Sequence, residues 1–305
     1  MEQQAYHVPA LLQEAIEGLD IKPSGTYADA TFGGGGHSRA ILQHLGPDGR
    51  LYSFDRDMDA WANRIDDPRF TFVHSNFRYM HNFMRFYGID RFDGILADLG
   101  VSFHHFDQAD RGFSFRTDAP LDMRMDRKSA VTAADIVNNY DRDRLTEVFR
   151  AYTDLRQAPQ IARAITEARA SAPIDTTVRL AESVARTLNP RQEKKDLAQV
   201  FQALRIETNG EMDDLRHLLE STLKTLRPGG RLAVLTYHSI EDRMVKNFMK
   251  SGNLDGNEEK DFFGRVNTPW KLITRSPITA GADEVAANPR ARSAKLRVAE
   301  LLPPR

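Results

Sequence analysis

Three acidic residues follow short apolar runs, at positions where a sheet would present its ligand-binding edge. Asp29 closes the first run, Asp55 the second and Asp98 a later one. Four glycines follow shortly after the first acid: Gly33, Gly34, Gly35 and Gly36. Glycine lets a ligand approach bare backbone, and Asp55 follows at about the 20-residue interval at which nucleotide-binding folds place a carboxylate on the ribose hydroxyls. The spacing therefore predicts a nucleoside ligand, although a glycine run alone would also suit a surface turn.

The glycine run departs from the dinucleotide fingerprint. Gly33 and Gly35 fit the pattern G-x-G-x-x-G/A, but Ser38 stands at its third position. Asp29 lies on the preceding strand, where a carboxylate would repel a pyrophosphate but suits a ligand with an amino group and a sulfonium. We therefore predict S-adenosylmethionine as the cofactor, with a nicotinamide-dependent oxidoreductase as the alternative.

Asp98 is the first candidate for the reacting end of this site. It ends a predicted strand, and doubly wound sheets bind ligands outside the carboxyl ends of their strands. Its carboxylate is expected to hold the amino group of the cofactor or to accept a hydrogen bond from an attacking amine; capping the following turn is the structural alternative. Phe77, after the third strand, is expected to pack on an adenine ring or in the core.

Further candidates for substrate contact follow the fifth predicted strand and lie near the carboxyl terminus. His238, Asp242 and Arg243 follow that strand, and His238 is the second candidate catalytic residue. Arg290 and Arg292 belong to a basic run that fits phosphate contact or a solvated face.

One long loop combines aromatic, basic and acidic side chains. In residues 110–126, Phe113 and Arg124 suit a flat base held between a ring and a guanidinium, whereas an Asp–Arg network that stiffens the loop fits the same composition.

Composition narrows the class of protein. The 305 residues carry a formal net charge of −1, so any binding of nucleic acid must depend on local patches. The chain has no cysteine, which excludes disulfides, thiolate metal sites and a cysteine nucleophile. His104 and His105 match no tight metal template, so no metal is expected. No long apolar run or basic and apolar leader is present, and neither a membrane span nor a secretion signal is expected.

The elements that position these residues alternate strand and helix as far as Asp98, which predicts an α/β fold with a doubly wound parallel sheet. A helix is predicted over residues 58–65 and a turn at residues 228–230. Residues 231–237 are predicted to form a fifth strand, and residues 270–275 and 294–301 a closing antiparallel pair. From about residue 129 to 205 the pattern is helical throughout, with a capping box predicted at Thr132 and Asp135 and helix caps at Asp141 and Thr176. We expect a sheet domain formed by residues 1–108 and 206–305, with an all-helical substrate-recognition domain inserted at 109–205.

Seven segments together resemble one family, the bacterial 16S ribosomal RNA (cytosine-N4) methyltransferases, also described as the small subunit methyltransferase H family. They are 31–38 (TFGGGGHS), 98–102 (DLGVS), 110–115 (DRGFSF), 120–126 (PLDMRMD), 201–207 (FQALRIE), 238–243 (HSIEDR) and 288–293 (NPRARS). The resemblance covers nearly the whole chain. It implies a class I S-adenosylmethionine fold and N4-methylation of a cytidine at the decoding centre of the small ribosomal subunit, in the cytoplasm.

The resemblance also implies a set of cofactor contacts. They are Gly35, Gly36, His37, Asp55, Phe77, Asp98 and His105. The family usually reads Val-Ser-Ser where this chain has Val101-Ser102-Phe103, and His105 stands where a Gln is common. A non-catalytic RNA-binding module is a further alternative. Pairing of two chains into a homodimer stays open, because no sequence signal bears on it.

Overall fold

The computed structural model describes residues 9–100 and 109–304. Their strands are β1 Thr26–Asp29, β2 Arg50–Asp55, β3 Phe70–His74, β4 Phe92–Asp98, β5 Leu226–Thr236, β6 Trp270–Leu272, β7 Ile278–Thr279 and β8 Lys295–Leu301. Their α-helices are α1 Leu12–Leu19, α2 Gly36–His44, α3 Met80–Phe86, α4 Ala133–Asn139, α5 Arg142–Tyr152, α6 Ala158–Ser171, α7 Thr177–Val184, α8 Glu193–Asn209, α9 Glu211–Thr225, α10 Ser239–Ser251 and α11 Ala282–Ala287.

The strands form one mixed sheet in the order β3-β2-β1-β4-β5-β8-β6, and β7 pairs with β8. The strands from β3 to β5 are parallel, whereas β8 runs antiparallel to both β5 and β6. This confirms the predicted doubly wound sheet with its closing antiparallel pair. The strand order reverses at β1, so ligands are expected outside the carboxyl ends of β1 and β4.

The central strands are buried because helices cover the sheet. Tyr27, Leu51, Leu96 and Leu235 belong to one core cluster together with Ile41 of α2. Burial on both faces explains why β4 reads as an almost continuous apolar run rather than an alternating one.

Several local predictions differ from the structure. β5 begins at Leu226, five residues earlier than predicted, and includes residues 228–230, which were predicted to form a turn. The start of this strand is irregular, because its pairing register with β4 shifts between Phe92 and Gly94. The helix predicted over 58–65 is a 3-10 helix, Met58–Asn63. The prediction missed α11 and β7, because both are too short to show a periodicity.

Residues 109–212 form a second compact unit, which is helical. Its helices begin at the predicted caps: Thr132 forms a capping box with Asp135, Asp141 caps α5, and Thr176 caps α7. The apolar faces of α4 to α8 meet in a core that includes Phe149 and Ile161. The helix α8 continues to Asn209, four residues past the predicted border at 205.

No helix of the described chain is long and apolar enough to cross a bilayer.

Candidate functional site

The glycine run makes a tight turn between β1 and α2. Gly35 has φ 76°, in the left-handed region that favours glycine, and it directly precedes the first residue of α2. A Cβ atom on Gly36 would lie 2.3 Å from Cγ of Pro9, closer than two carbon atoms can approach. Bare backbone is therefore required at both positions, and the N-terminus of α2 faces the carboxyl edge of the sheet.

Asp55 holds this turn from the end of β2. The Gly33 amide donates to Oδ2 of Asp55 at 2.8 Å, and the Asp57 amide donates to Oδ1 at 2.8 Å. The side-chain amide of Asn63 donates to the Gly33 carbonyl at 3.0 Å. Each carboxylate oxygen offers two acceptor lone pairs, so these bonds are compatible with the predicted bond from a ribose hydroxyl.

Asp29 is buried beneath the turn and does not face a ligand directly. Its oxygens accept hydrogen bonds from the Ser38 hydroxyl at 2.6 Å and from the Thr31 amide at 3.0 Å. The Ser38 hydroxyl also lies 2.8 Å from the hydroxyl of Ser53. Burial raises the pKa of Asp29 to about 6. Ser38, the position that departs from the dinucleotide fingerprint, therefore anchors the start of α2 to β1 and β2.

Asp98 lies at the end of β4, beside the switch point. The Tyr237 hydroxyl donates to its Oδ1 at 2.7 Å, and the Asp98 amide donates to the Thr31 hydroxyl at 2.7 Å. Burial raises the pKa of the Asp98 carboxyl to about 7; the Tyr237 hydrogen bond opposes this, and the charges of Asp29 and Glu241 add to it. The side chain is 23% exposed, so a ligand can reach it.

His37 is the only basic side chain of the described residues within 4.0 Å of the Asp98 carboxylate. Its Nδ1 lies 3.7 Å from Oδ2 of Asp98, too far for a hydrogen bond. The ring is 4% exposed, and burial lowers the pKa of His37 to about 4. His37 is therefore neutral at neutral pH, and it does not compensate the charge of Asp98. Its Nε2 is buried and lacks a hydrogen-bond partner among the described residues.

His238 is a helix cap rather than an exposed acid or base. Its Nδ1 accepts a hydrogen bond from the Glu241 amide at 3.4 Å, at the start of α10, and its Nε2 lies 3.0 Å from Oε1 of Glu241. The other carboxylate oxygen of Glu241 accepts from the Tyr237 amide at 2.9 Å. The structure gives His238 this positioning role, and its catalytic role stays a prediction.

The site thus also contains Tyr237 and Glu241, which were not predicted as site residues. A signal for Tyr237 was present, because it directly follows the strand next to Asp98. No local signal marks Glu241, since its role depends on the backbone of Tyr237 and on the His238 ring.

The other candidates of the sheet unit differ in their surroundings. Phe77 is partly exposed in a 3-10 turn after β3, at the same edge of the sheet as the glycine turn. Arg243, Arg290 and Arg292 are exposed. Asp242 accepts a hydrogen bond from Nε of Arg297 at 2.7 Å, and its contact with the substrate stays a prediction.

In the structure, the side chains of Phe113 and Arg124 make contacts within the helical unit. Phe113 is 6% exposed and belongs to the core of the helical unit. Arg124 donates from Nε and Nη2 to the two oxygens of Asp122, at 2.8 and 2.7 Å, and from Nη1 to the Ser129 carbonyl at 2.7 Å. The structure contains the Asp–Arg network that the composition left open. The burial of Phe113 speaks against stacking on a base, and the base-binding role of Arg124 stays a prediction. The predicted contact at His105 lies outside the described residues.

The chain matches the profile of the MraW methylase family over residues 4–302. It is 55% identical to a ribosomal RNA small subunit methyltransferase H of Phocaeicola vulgatus, over 97% of this chain and 98% of that protein. It is 57% identical to a protein of the same name from Parabacteroides distasonis, over 97% of both chains. The resemblance found in the sequence is thereby confirmed, and the chain belongs to the MraW methylase family.

Proposed function

We propose that this chain transfers the methyl group of S-adenosylmethionine to the N4 amine of one cytidine in 16S ribosomal RNA, at the decoding centre of the small subunit, in the cytoplasm. Membership in a methylase family and the names of its relatives support the reaction class and the RNA substrate. The observation that carries the proposal is Asp98, a reachable carboxyl with a pKa of about 7, next to a glycine turn at the switch point of the sheet.

The residues at this edge fit the cofactor. Gly35 and Gly36 leave bare backbone at the N-terminus of α2, where a Cβ atom would collide, and Asp55 stands at the end of β2 for the ribose. The other cofactor contacts proposed among the described residues are Gly33, Gly34, His37 and Phe77. When bound, S-adenosylmethionine supplies a methyl group that its sulfonium already activates.

Asp98 is the proposed acceptor for the amine. The exocyclic amine of cytosine is a poor nucleophile, because its lone pair is delocalised into the ring. A carboxylate that accepts a hydrogen bond from its N–H orients the amine and takes the proton when the new N–C bond forms. Tyr237 fixes Oδ1, so Oδ2 is the oxygen proposed to receive the amine. Binding of the cofactor's amino group by Asp98, with a backbone carbonyl as acceptor, is the alternative role.

The chemistry of the chain favours the amine over ring carbon 5. Methylation at carbon 5 of cytosine normally forms a covalent adduct with a cysteine, and this chain has none. In either case the base must leave its stack to reach the rim of the sheet.

The test uses purified protein, labelled S-adenosylmethionine and small ribosomal subunits from cells that lack the modification. Mapping of the product by mass spectrometry is expected to give N4-methylcytidine at a single site. A methyl group on ring carbon 5, or a label on protein alone, would contradict the proposed reaction. Tight binding of a nicotinamide cofactor would favour an oxidoreductase. If the protein transferred no methyl group and a Gly35→Val substitution left its RNA binding unchanged, a non-catalytic binding module would be favoured.

A further inference from the structure

A second concave surface lies in the sheet unit, between α10 and the segment that follows β6. Its volume is about 360 Å³. Four cationic side chains line it: Lys246, Lys250, Arg275 and Arg297. The hydroxyl-bearing residues Thr274 and Ser276 also line it, and no acidic residue of the described ranges 9–100 and 109–304 does so. We call this surface the basic cleft. It stands out in a chain whose formal net charge is −1, because such a chain has no general surplus of cations.

The cations of the basic cleft are of two kinds. Arg297 is paired with Asp242 at 2.7 Å, and Lys250 with Glu258 at 2.6 Å. Lys246 and Arg275 are exposed, and neither forms an ion pair within the described parts of the chain. Asp242 and Glu258 thus compensate Arg297 and Lys250, and the charges of Lys246 and Arg275 remain to attract an anion, since the low-dielectric walls focus their field.

The helix geometry adds to this charge. Lys246 and Lys250 are four residues apart on α10, so they occupy the same face, and both line the basic cleft. Like charges at this spacing destabilise a helix; Glu258 already compensates Lys250, and a bound anion would compensate Lys246. Arg275 lies on the facing segment and offers a planar, multidentate donor that matches the oxygens of a phosphate.

The pairing register places the basic cleft close to the proposed acceptor. Asp98 pairs with Leu235 on β5, and Leu235 pairs with Leu296 on β8, the neighbour of Arg297. Arg297 therefore lies two strands and one residue away from Asp98, or about 10 Å between their backbones at ordinary strand spacing. An RNA strand whose target base is at Asp98 is long enough to reach this surface with a flanking nucleotide.

We propose that the basic cleft binds a backbone phosphate of the RNA strand that carries the target cytidine, with Lys246 and Arg275 as the phosphate ligands and Ser276 as a further donor. This inference rests on the proposed function and names the part of the substrate that a second site of the sheet unit holds. Phosphate contacts position a strand without reading its sequence, so the basic cleft would contribute to affinity and register rather than to the choice of base.

The test compares Lys246→Ala/Arg275→Ala with a matched control, Lys22→Ala/Arg85→Ala, which removes the same charges. Lys22 precedes β1, and Arg85 lies in the last turn of α3 before β4, so the control changes the opposite edge of the sheet. The affinity for transcribed 16S ribosomal RNA is measured by fluorescence anisotropy over a series of salt concentrations. We expect the cleft variant to bind at least about tenfold more weakly, and the slope of log K against log salt to fall in magnitude by about 0.7 for each lost contact with a single strand.

A second readout separates the basic cleft from the catalytic site. The cleft variant is expected to keep wild-type affinity for S-adenosylmethionine by calorimetry, to raise KM for RNA and to leave kcat unchanged. Unchanged RNA affinity, or an equal loss in the control variant, would overturn the proposal. The proposal would also be overturned if inorganic phosphate bound to the wild type without competing with RNA, because the ligand of the basic cleft would then be a free anion. Absence of methyl transfer by the wild type would defeat the proposed function instead, and RNA affinity would still test the basic cleft.

Discussion

Acidic residues at the rim of the sheet and acidic residues in the helical unit lie in opposite electrostatic surroundings. In the helical unit, Asp122 receives two hydrogen bonds from Arg124. Burial alone would raise the pKa of Asp122, but the hydrogen bonds and charge of Arg124 outweigh burial and lower it. At the rim, Asp98 and Asp29 receive side-chain hydrogen bonds from the neutral hydroxyls of Tyr237 and Ser38, and burial raises their pKa values to about 7 and about 6.

This difference shows that burial without a cationic partner, rather than the density of acids, separates Asp98 from the ion-paired Asp122. An arginine keeps a carboxylate ionised at any ordinary pH and uses its lone pairs for stability. A buried carboxyl whose partners are neutral, as Asp98 is, can have a pKa near working pH, where proton transfer is most efficient. Both regions contain acids and aromatic residues, so their composition looks alike in the sequence.

The largest expected effect is the loss of catalysis on removing the acceptor. Asp98→Asn keeps the shape of the side chain and can still accept from Tyr237, but it cannot take a proton. We expect the single-turnover rate of methyl transfer to fall by about 10²- to 10⁴-fold, the usual contribution of a positioned base. The matched variant Asp122→Asn should transfer methyl groups at close to the wild-type rate while folded. Comparable losses in both variants would remove the distinction between the two regions.

The ion pair of the helical unit is expected to affect stability instead. Arg124→Ala removes the partner of Asp122 and leaves the carbonyl of Ser129 without its donor. Both side chains are about one quarter exposed, so solvent screening reduces the loss, and we expect about 1–3 kcal/mol less free energy of unfolding. Urea denaturation followed by circular dichroism measures it. A loss of activity without a loss of stability would show that Arg124 does contact the substrate.

The two regions should respond to pH with opposite sign. The pKa of Asp98 is about 7 in the folded protein against an unperturbed 3.8, so its contribution to stability is complete below about pH 4 and is lost as pH rises through 7. The pKa of Asp122 is lowered, so its contribution is present above about pH 4 and is lost as pH falls below its folded pKa.

Denaturation curves of the wild type and the two Asp→Asn variants across this range test these signs. Asp98→Asn should remove part of the stability loss between about pH 4 and pH 7, and Asp122→Asn should not change that interval. The opposite pattern would mean that the rim acid is the ion-paired one.

The smallest expected effect comes from the hydroxyl that holds Asp98. This hydrogen bond lowers the pKa of Asp98, so Tyr237→Phe should move the rising limb of the pH–rate profile to higher pH. Above that limb the rate should recover to within about tenfold of the wild type, because the carboxylate itself remains. An unshifted profile with a uniformly lower rate would show that Tyr237 acts by packing alone.

Local chemistry made much of the fold predictable. The caps Thr132, Asp141 and Thr176 and the turn glycines act within a few residues of their own position, so their patterns identify the helix starts and the ligand turn. The helix after β2 was predicted, but its 3-10 type was not. The early start of β5 was missed, because pairing with β4 overrides the local turn preference there.

The chemical state of the site depends on distant partners and could not be predicted from its motifs. Tyr237 reaches Asp98 across 139 residues of sequence, and the burial that raises the Asp98 pKa comes from the assembled sheet. Similarly, the motif that contains Arg124 does not show that its guanidinium forms an ion pair with Asp122, two residues away. Sequence identified the positions of these acids, and only the structure separated their roles.

The most direct test of this account is the titration of the Asp98 carboxyl itself. Infrared difference spectra of the wild type and Asp98→Asn across pH isolate the carboxyl band of this single residue. We predict a carboxyl that loses its proton near pH 7, the pKa that burial gives it. A carboxyl that is already ionised at about pH 5 would contradict the account, because Asp98 would then resemble the ion-paired acids of the helical unit.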